Sequence, residues 1–270
     1  MSVVLESKII GTGRPLVVLH GFLGMGDNWA THARIWAELG FEVHLVDQRN
    51  HGRSPHTASH SYAEMVEDVV AYAEAHFGHG PVAWLGHSMG GKVVMELAAR
   101  YPSWVERMVV VDIAPRAYPP HHQFIIDAMR RLNLADLGSR TEADRALEAD
   151  LPDWGIRQFL LKNLEWNDDK QLAWKCNLPV LEASMDRIGK PLGPLDQFVG
   201  AVLFVRGLAS NYIRDEDWEG ILRHFPSAQL ESIAGAGHWV HAEQPKAFQE
   251  AVNSFLVAGI RDADLLLKLY

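Results

Sequence analysis

The sequence holds one cysteine, Cys176, in 270 residues, so no disulfide can form within the chain. A fold of this length must be held by its core, and the cysteine usage suits a reducing compartment. No apolar run reaches the roughly 18 residues that a membrane-spanning helix needs. The first ten residues carry Glu6 and Lys8 and no small-residue cleavage pattern, so they read as a strand and not as a secretory leader. Basic charge is also scarce: 25 Lys and Arg against 34 Asp and Glu leave a net charge of −9. A nucleic-acid binder needs a cationic face to displace phosphate counterions, and this balance argues against one. Repeats and low-complexity tracts are missing too. Hydrophobic residues at 48% and charged residues at 22% are ordinary globular values, which excludes disorder as the main state. The expectation is an acidic, cytoplasmic globular protein with a sizeable core, with monomer and dimer both open.

What is present is an alternation. Short apolar runs suited to strands buried on both faces occupy residues 3–10, 16–20, 41–46, 82–85 and 105–111. Helical spacing occupies 28–39, 61–77 and 92–101 between them. The second of these opens on the capping box Ser61 to Glu64, and the third is closed by Pro102. Strand–helix alternation of this kind predicts an α/β fold with a mostly parallel central sheet flanked by helices. From Ala114 the pattern changes. Pro115, Pro119 and Pro120 break the chain, and helical spacing then covers 122–134, 141–151, 156–166 and 172–187, with a second capping box at Ser139 to Glu142. Gly193 and Pro194 close this stretch. Strand, helix, strand and helix then resume at 201–205, 215–225, 229–233 and 245–257. The expected organisation is a core made of 1–114 and 195–270, with a helical cap inserted at 115–194. For 261–270 a last helical turn and a loose tail are both open.

The strongest chemical signal is Gly86-His87-Ser88-Met89-Gly90-Gly91, placed between an apolar strand and a helical pattern. A G-x-S-x-G in this context makes a nucleophile elbow: the serine stands on a strained turn, and its neighbours two residues away must be small. The helix that starts after Ser88 turns free N–H groups and its positive end toward the serine, so the Met89 amide can face an oxyanion. The same residues run Gly86 to Lys92 as the start of a phosphate-binding G-x-x-x-x-G-K loop, and 108–112 resembles the strand that ends in a magnesium-binding Asp. The next position must then be Ser or Thr to hold the metal, and it is Val93, which argues against a nucleotide site. A nucleophilic serine needs a base. Among 14 histidines, His238 in Gly237-His238-Trp239 stands out, because it follows the last strand and so falls on the sheet edge that carries Ser88. His241 is read as structural, since no carboxylate at metal-site spacing accompanies it. His20-Gly21-Phe22 follows the first central strand, where the Phe22 amide would complete an oxyanion hole with that of Met89.

The segments His20-Gly21-Phe22-Leu23-Gly24, Asp47 to Ser54, Gly86 to Lys92, Asp112-Ile113-Ala114-Pro115 and Gly237 to His241 together resemble the α/β-hydrolase superfamily, and within it the YbfF-type esterases. The resemblance runs over nearly the whole chain. It implies an α/β-hydrolase fold and a serine carboxylesterase or thioesterase that uses no cofactor and no metal, acting on a small-molecule ester of short to medium acyl chain. Asn50 stands where most relatives carry Gly, a change that Asn tolerates because it adopts left-handed backbone. The acid is the larger departure. Most relatives place it after the strand at 201–205, where this chain has Gly207-Leu208-Ala209-Ser210, and a serine hydroxyl cannot stabilise an imidazolium. The resemblance to the YbfF-type branch points to Asp112, with Asp186 in the cap as the other candidate and Asp215 too far along the chain.

The expected triad is therefore Ser88, His238 and Asp112, with Phe22 and Met89 at the oxyanion and Phe22, His87 and Trp239 lining the substrate pocket. In the cap, Phe124, Ile125, Met129, Phe159, Leu160, Leu164, Trp174 and Leu181 are apolar candidates, most of them for packing and a few for an acyl pocket. Arg116 and Arg157 are candidates to meet an acidic substrate group, against the plainer reading of solvated surface arginines. A C–C hydrolase or lyase with the same triad, and a hydrolase-fold binding module without turnover, remain the competing functions.

Overall fold

The computed structural model describes residues 2–120 and 122–259. The first half builds β1 (Ser7–Ile10), β2 (Arg14–Leu19), α1 (Ala30–Glu38), β3 (Phe41–Val46), α2 (Tyr62–Phe77), β4 (Val82–His87), α3 (Met89–Arg100) and β5 (Val105–Val111). Then come α4 (Gln123–Arg131), α5 (Arg140–Leu147), α6 (Trp154–Leu161), β6 (Leu164–Trp166), β7 (Leu172–Trp174), α7 (Leu178–Ala183) and α8 (Met185–Ile188). The chain returns through β8 (Ala201–Gly207), α9 (Trp218–His224), β9 (Ala228–Ile233), α10 (Val240–Glu243) and α11 (Pro245–Val257).

Seven of these strands form one sheet in the order β1-β3-β2-β4-β5-β8-β9. β1 runs antiparallel to β3, and every other pairing is parallel. The period-two alternation along each strand sorts its side chains into two cores. Val17, Leu19, Trp84, Val110 and Phe204 face α2 and α3, against Val66 and Val94. Leu16, Val18, Leu85, Val109 and Val205 face α1 and α11, against Trp36 and Phe248. With both faces covered, the central strands read as unbroken apolar runs, as expected for a parallel sheet. The fold is the α/β class read from the sequence. Its functional consequence is the edge. The loops after β2, β4, β5 and β9 leave the same side of the sheet, so Phe22, Ser88, Asp112 and His238 are gathered from positions up to 216 residues apart.

The stretch between β5 and β8 adds no strand to this sheet. Ser139 and Asp153 cap α5 and α6 by accepting from the Glu142 and Ile156 N–H groups. The sequence reading fails in the middle of the stretch. Residues 156–166 and 172–187 do not form two helices; α6 ends at Leu161, and β6 and β7 pair as an antiparallel hairpin. The cause is turn chemistry. Asn167 accepts from the Gln171 N–H, and Lys170 adopts φ 57°, so Asn-Asp-Asp-Lys closes a turn that apolar spacing alone does not reveal. Residues 261–270 lie outside the described residues.

Candidate active site

Only Ser88 separates the end of β4 from the start of α3, and its backbone sits at φ 51°, ψ −115°. That conformation costs a side-chain-bearing residue on the order of 1–3 kcal/mol. Glycine makes it sterically possible. A Cβ on Gly86 would lie 2.2 Å from the Gly90 carbonyl oxygen, and one on Gly90 would lie 2.4 Å from that of Leu19. The Met89 N–H opens α3 and so has no carbonyl within the helix to bond.

The imidazole of His238 bridges two partners. Its Nε2 lies 3.0 Å from Ser88 Oγ, and its Nδ1 lies 2.8 Å from Asp112 Oδ2. Several contacts fix it there. Glu243 of α10 accepts from the N–H groups on both sides of it, Gly237 at 2.7 Å and Trp239 at 3.1 Å. The His87 Nε2–H donates to the His238 carbonyl at 2.9 Å. The Tyr212 ring stacks on the imidazole at 3.8 Å between centroids.

Asp112 follows β5 directly and is fully buried. Its Oδ1 accepts from the Gly207 N–H at 3.2 Å, and its Oδ2 accepts the Ser210 hydroxyl as well as His238. Burial pushes its carboxyl up to about 6, while the Ser210 hydroxyl and the Gly207 N–H pull it back. Asp186 is exposed on α8, and Asp215 is paired with Arg206. The sequence reading set Ser210 aside as unable to replace an acid. The structure gives it a different part, as donor to the carboxylate that reaches His238.

The Phe22 amide lies in a loop pinned by neutral histidines. The Gln48 N–H donates to His20 Nε2 at 3.0 Å, which leaves the proton on Nδ1 for the Gly21 carbonyl at 2.8 Å. The Leu23 N–H donates to His51 Nε2 at 3.2 Å, so His51 Nδ1–H bonds the Arg49 carbonyl at 3.0 Å. Burial holds both rings neutral, pushed down to about 4 for His20 and about 3 for His51. From the other side Asn163, at the base of the β6–β7 hairpin, donates to the Leu23 carbonyl at 2.7 Å. Asn50 takes φ 64°, the left-handed backbone expected of it.

Residues 14–155 match the family described as alpha/beta hydrolase fold. The chain belongs to the α/β-hydrolase family. Relatives of this hydrolase include the mouse sn-1-specific diacylglycerol lipase ABHD11, 38% identical over 248 residues that cover 89% of this chain and 80% of the relative. Esterase YbfF of Escherichia coli (strain K12) is 34% identical over 245 residues, covering 90% and 92%. Among solved structures, a marine microorganism esterase superposes with a TM-score of 0.90 at 37% identity, covering 94% of this chain and all of that one.

In this α/β hydrolase the space beside Ser88 has two small lobes. One, of about 40 Å³, is walled by Met89, Ile113, Tyr118, Met185, Ile188 and Tyr212. The other, of about 20 Å³, lies toward His238 and is walled by His87, Ile125, Ile156, Phe159, Leu160 and Trp239. Phe22 and His122 border both. Of the apolar residues singled out between β5 and β8, Ile125, Phe159 and Leu160 line the lobe beside the serine. Met129, Leu164 and Leu181 are buried in packing, Trp174 is half-buried, and Phe124 is exposed. The two arginines do not await an acidic substrate. Arg157 is buried and paired with Asp144 at 2.8 Å, and Arg116 is paired with Asp217 at 2.8 Å and lies over the Tyr118 ring. His241 stacks on Trp29 at 4.1 Å between centroids. The residues that sequence reading missed are those that hold others: Ser210, Glu243, Tyr212, His51 and Asn163. Glu243 had a signal, an acid within the single helical turn that follows His238.

Among the described residues no helix is long and apolar enough to cross a membrane.

Proposed function

We propose that this α/β hydrolase cleaves carboxylic esters of small molecules through an acyl-enzyme on Ser88. The observation that carries the reading is the unbroken chain of contacts from Ser88 Oγ through His238 to the buried Asp112. His238 Nε2 takes the hydroxyl proton as Oγ attacks the ester carbonyl carbon. The carbonyl oxygen becomes an oxyanion that accepts from the Phe22 and Met89 amides, where one donor is typically worth about 3 kcal/mol. Asp112 stabilises the imidazolium and keeps the Nδ1 proton in place. The C–O bond then breaks, and His238 returns its proton to the leaving alkoxide. Water, deprotonated by His238, attacks the acyl carbon, and Ser88 leaves with the proton. The names of the relatives, an esterase and a diacylglycerol lipase, support an ester in place of a C–C bond. Thioesters fit the same chemistry. The single, buried Cys176 supports a cytoplasmic setting.

The test is a panel of p-nitrophenyl esters of increasing acyl length, with acyl thioesters alongside, and labelling by a fluorophosphonate. Turnover with label on Ser88 is expected. An unlabelled protein that binds esters without hydrolysing them would leave a binding module.

A second expected result concerns pH. The site works with His238 neutral and Asp112 ionised: a protonated imidazole cannot take the Ser88 proton, and Asp112 itself takes up a proton as pH falls through about 6. The pair titrates as a unit, so kcat/KM should show one acid limb. Ser210→Ala removes a donor that favours the ionised carboxylate, so the limb should move to higher pH with a loss of about tenfold or less at pH 8. A rate flat from pH 5 to pH 9 would count against a histidine base.

A further inference from the structure

Lys92 is a buried cation that the mechanism does not use. It lies in the first turn of α3, four residues after Ser88, and only 1% of it is exposed. Its Nζ donates to the Arg116 carbonyl at 2.6 Å and to the Lys190 carbonyl at 3.0 Å, and stands 5.3 Å from the centroid of Tyr118. Burial and the Arg116 charge push the ammonium down to about 7, against the pull of Glu96. Leucine or methionine would fill the volume without the cost of burying a charge. What lysine adds is a set of donors that reaches two separate pieces of chain.

Those pieces are the two crossings between the sheet and the stretch above it. Arg116 is on the path from β5 to α4, and Lys190 is on the path from α8 back to β8. The crossings also bond each other. The Tyr118 N–H donates to the Gly189 carbonyl at 2.8 Å, and the Leu192 N–H to that of Pro115 at 2.9 Å. They pass so close that a Cβ on Gly189 would lie 2.3 Å from the Tyr118 carbonyl oxygen. Their residues are also pocket wall: Tyr118, Pro119, Pro120 and Gly189, with Met185 and Ile188 just before, border the larger lobe beside Ser88. The lobe is small, so where this wall stands decides how closely it meets an ester held at Ser88.

We propose that Lys92 is a positioning residue that fastens both crossings to α3 and so sets where the pocket wall stands over Ser88. The kinetic side of this rests on the hydrolase reading above; the structural side does not. Without the ammonium, the carbonyls of Arg116 and Lys190 lose this donor from α3, while the crossings keep their mutual bonds, the Arg116–Asp217 pair and the Tyr118 hydroxyl bond to the Tyr212 carbonyl. The wall then stands open for more of the time, and the bound ester is held less well.

Lys92→Met keeps an unbranched side chain one atom shorter and removes the donors. The expected result is a KM for a short p-nitrophenyl ester raised about tenfold, part of what the two lost bonds contributed to the wall, with kcat within about threefold. Hydrogen exchange should quicken across residues 123–188 while the amides of β2 to β5 exchange as before. Gly189→Ala parts the same crossings without touching Lys92, and should reproduce both changes. Exchange that quickens equally in sheet and wall, or KM and exchange that both stay at wild-type values, would overturn the proposal. If the wild-type protein hydrolyses no ester, the hydrolase reading fails, and the exchange pattern alone then decides the role of Lys92.

Discussion

Ser88→Ala is expected to remove acyl-enzyme formation and lower kcat by on the order of 10⁶, with no burst of alcohol from an activated ester. The size follows from the division of labour at the site. In the proposed mechanism, loss of Oγ leaves His238 no hydroxyl to deprotonate, and the Phe22 and Met89 amides would polarise a carbonyl only for attack by a badly placed water. The stability readout is independent of the chemistry. Ser88 sits at φ 51°, ψ −115°, where a Cβ is strained and glycine is not. Ser88→Gly should therefore be as inactive as Ser88→Ala yet more stable than it by about 1–2 kcal/mol in chemical unfolding. Residual turnover above about 10⁻³ of wild type in both variants would mean that another group is the nucleophile.

Asp112→Asn should lower kcat by about 10⁴, by analogy with serine proteases, because the amide can hold His238 in the wrong tautomer and cannot stabilise the imidazolium. KM should change little. The fold should gain stability. Burial raises the carboxyl from an ordinary 3.8 to about 6, so the native state holds its proton to higher pH than the unfolded chain. The ionised carboxylate therefore costs nothing in stability below pH 3.8, and its cost is fully present above about 6. Asparagine has no such charge, takes the left-handed backbone of Asp112 at φ 50°, and can still accept from Gly207. Above pH 7 the variant should be more stable by on the order of 2 kcal/mol, with the difference shrinking toward pH 4. Ser210→Asp in that background would return a carboxylate beside the same position, and some of the rate should return with it. Asp186→Asn, on exposed surface, should leave the rate near wild type. A normal rate for Asp112→Asn with a collapsed rate for Asp186→Asn would move the acid to α8.

The sequence by itself determined the parts of this protein that rest on local constraints. Unbroken apolar runs are readable because a parallel strand is buried on both faces, so the class of the sheet followed from β2, β3, β4, β5, β8 and β9, while the order of its strands came only from the structure. Gly86 and Gly90 are readable because a turn that tight has no room for a Cβ, and that geometry is settled within five residues. Cap signals such as Ser61 to Glu64 and Ser139 to Glu142 are likewise local. The hairpin at Leu164–Trp174 was not legible, since two three-residue strands have too few residues to show a period and are held by the Asn167 turn. What only the tertiary structure decided is everything that depends on a partner distant in the chain. Ser210 and Asp112 are 98 residues apart, Asn163 and Leu23 are 140, and Lys92 meets Lys190 across 98. No spacing rule links such pairs, because their distance is set by how loops leave a sheet edge and not by the repeat of a helix or strand. The same limit explains the arginines: Arg157 looks like a solvated charge until α5 brings Asp144 against it, and burial then removes it from the surface.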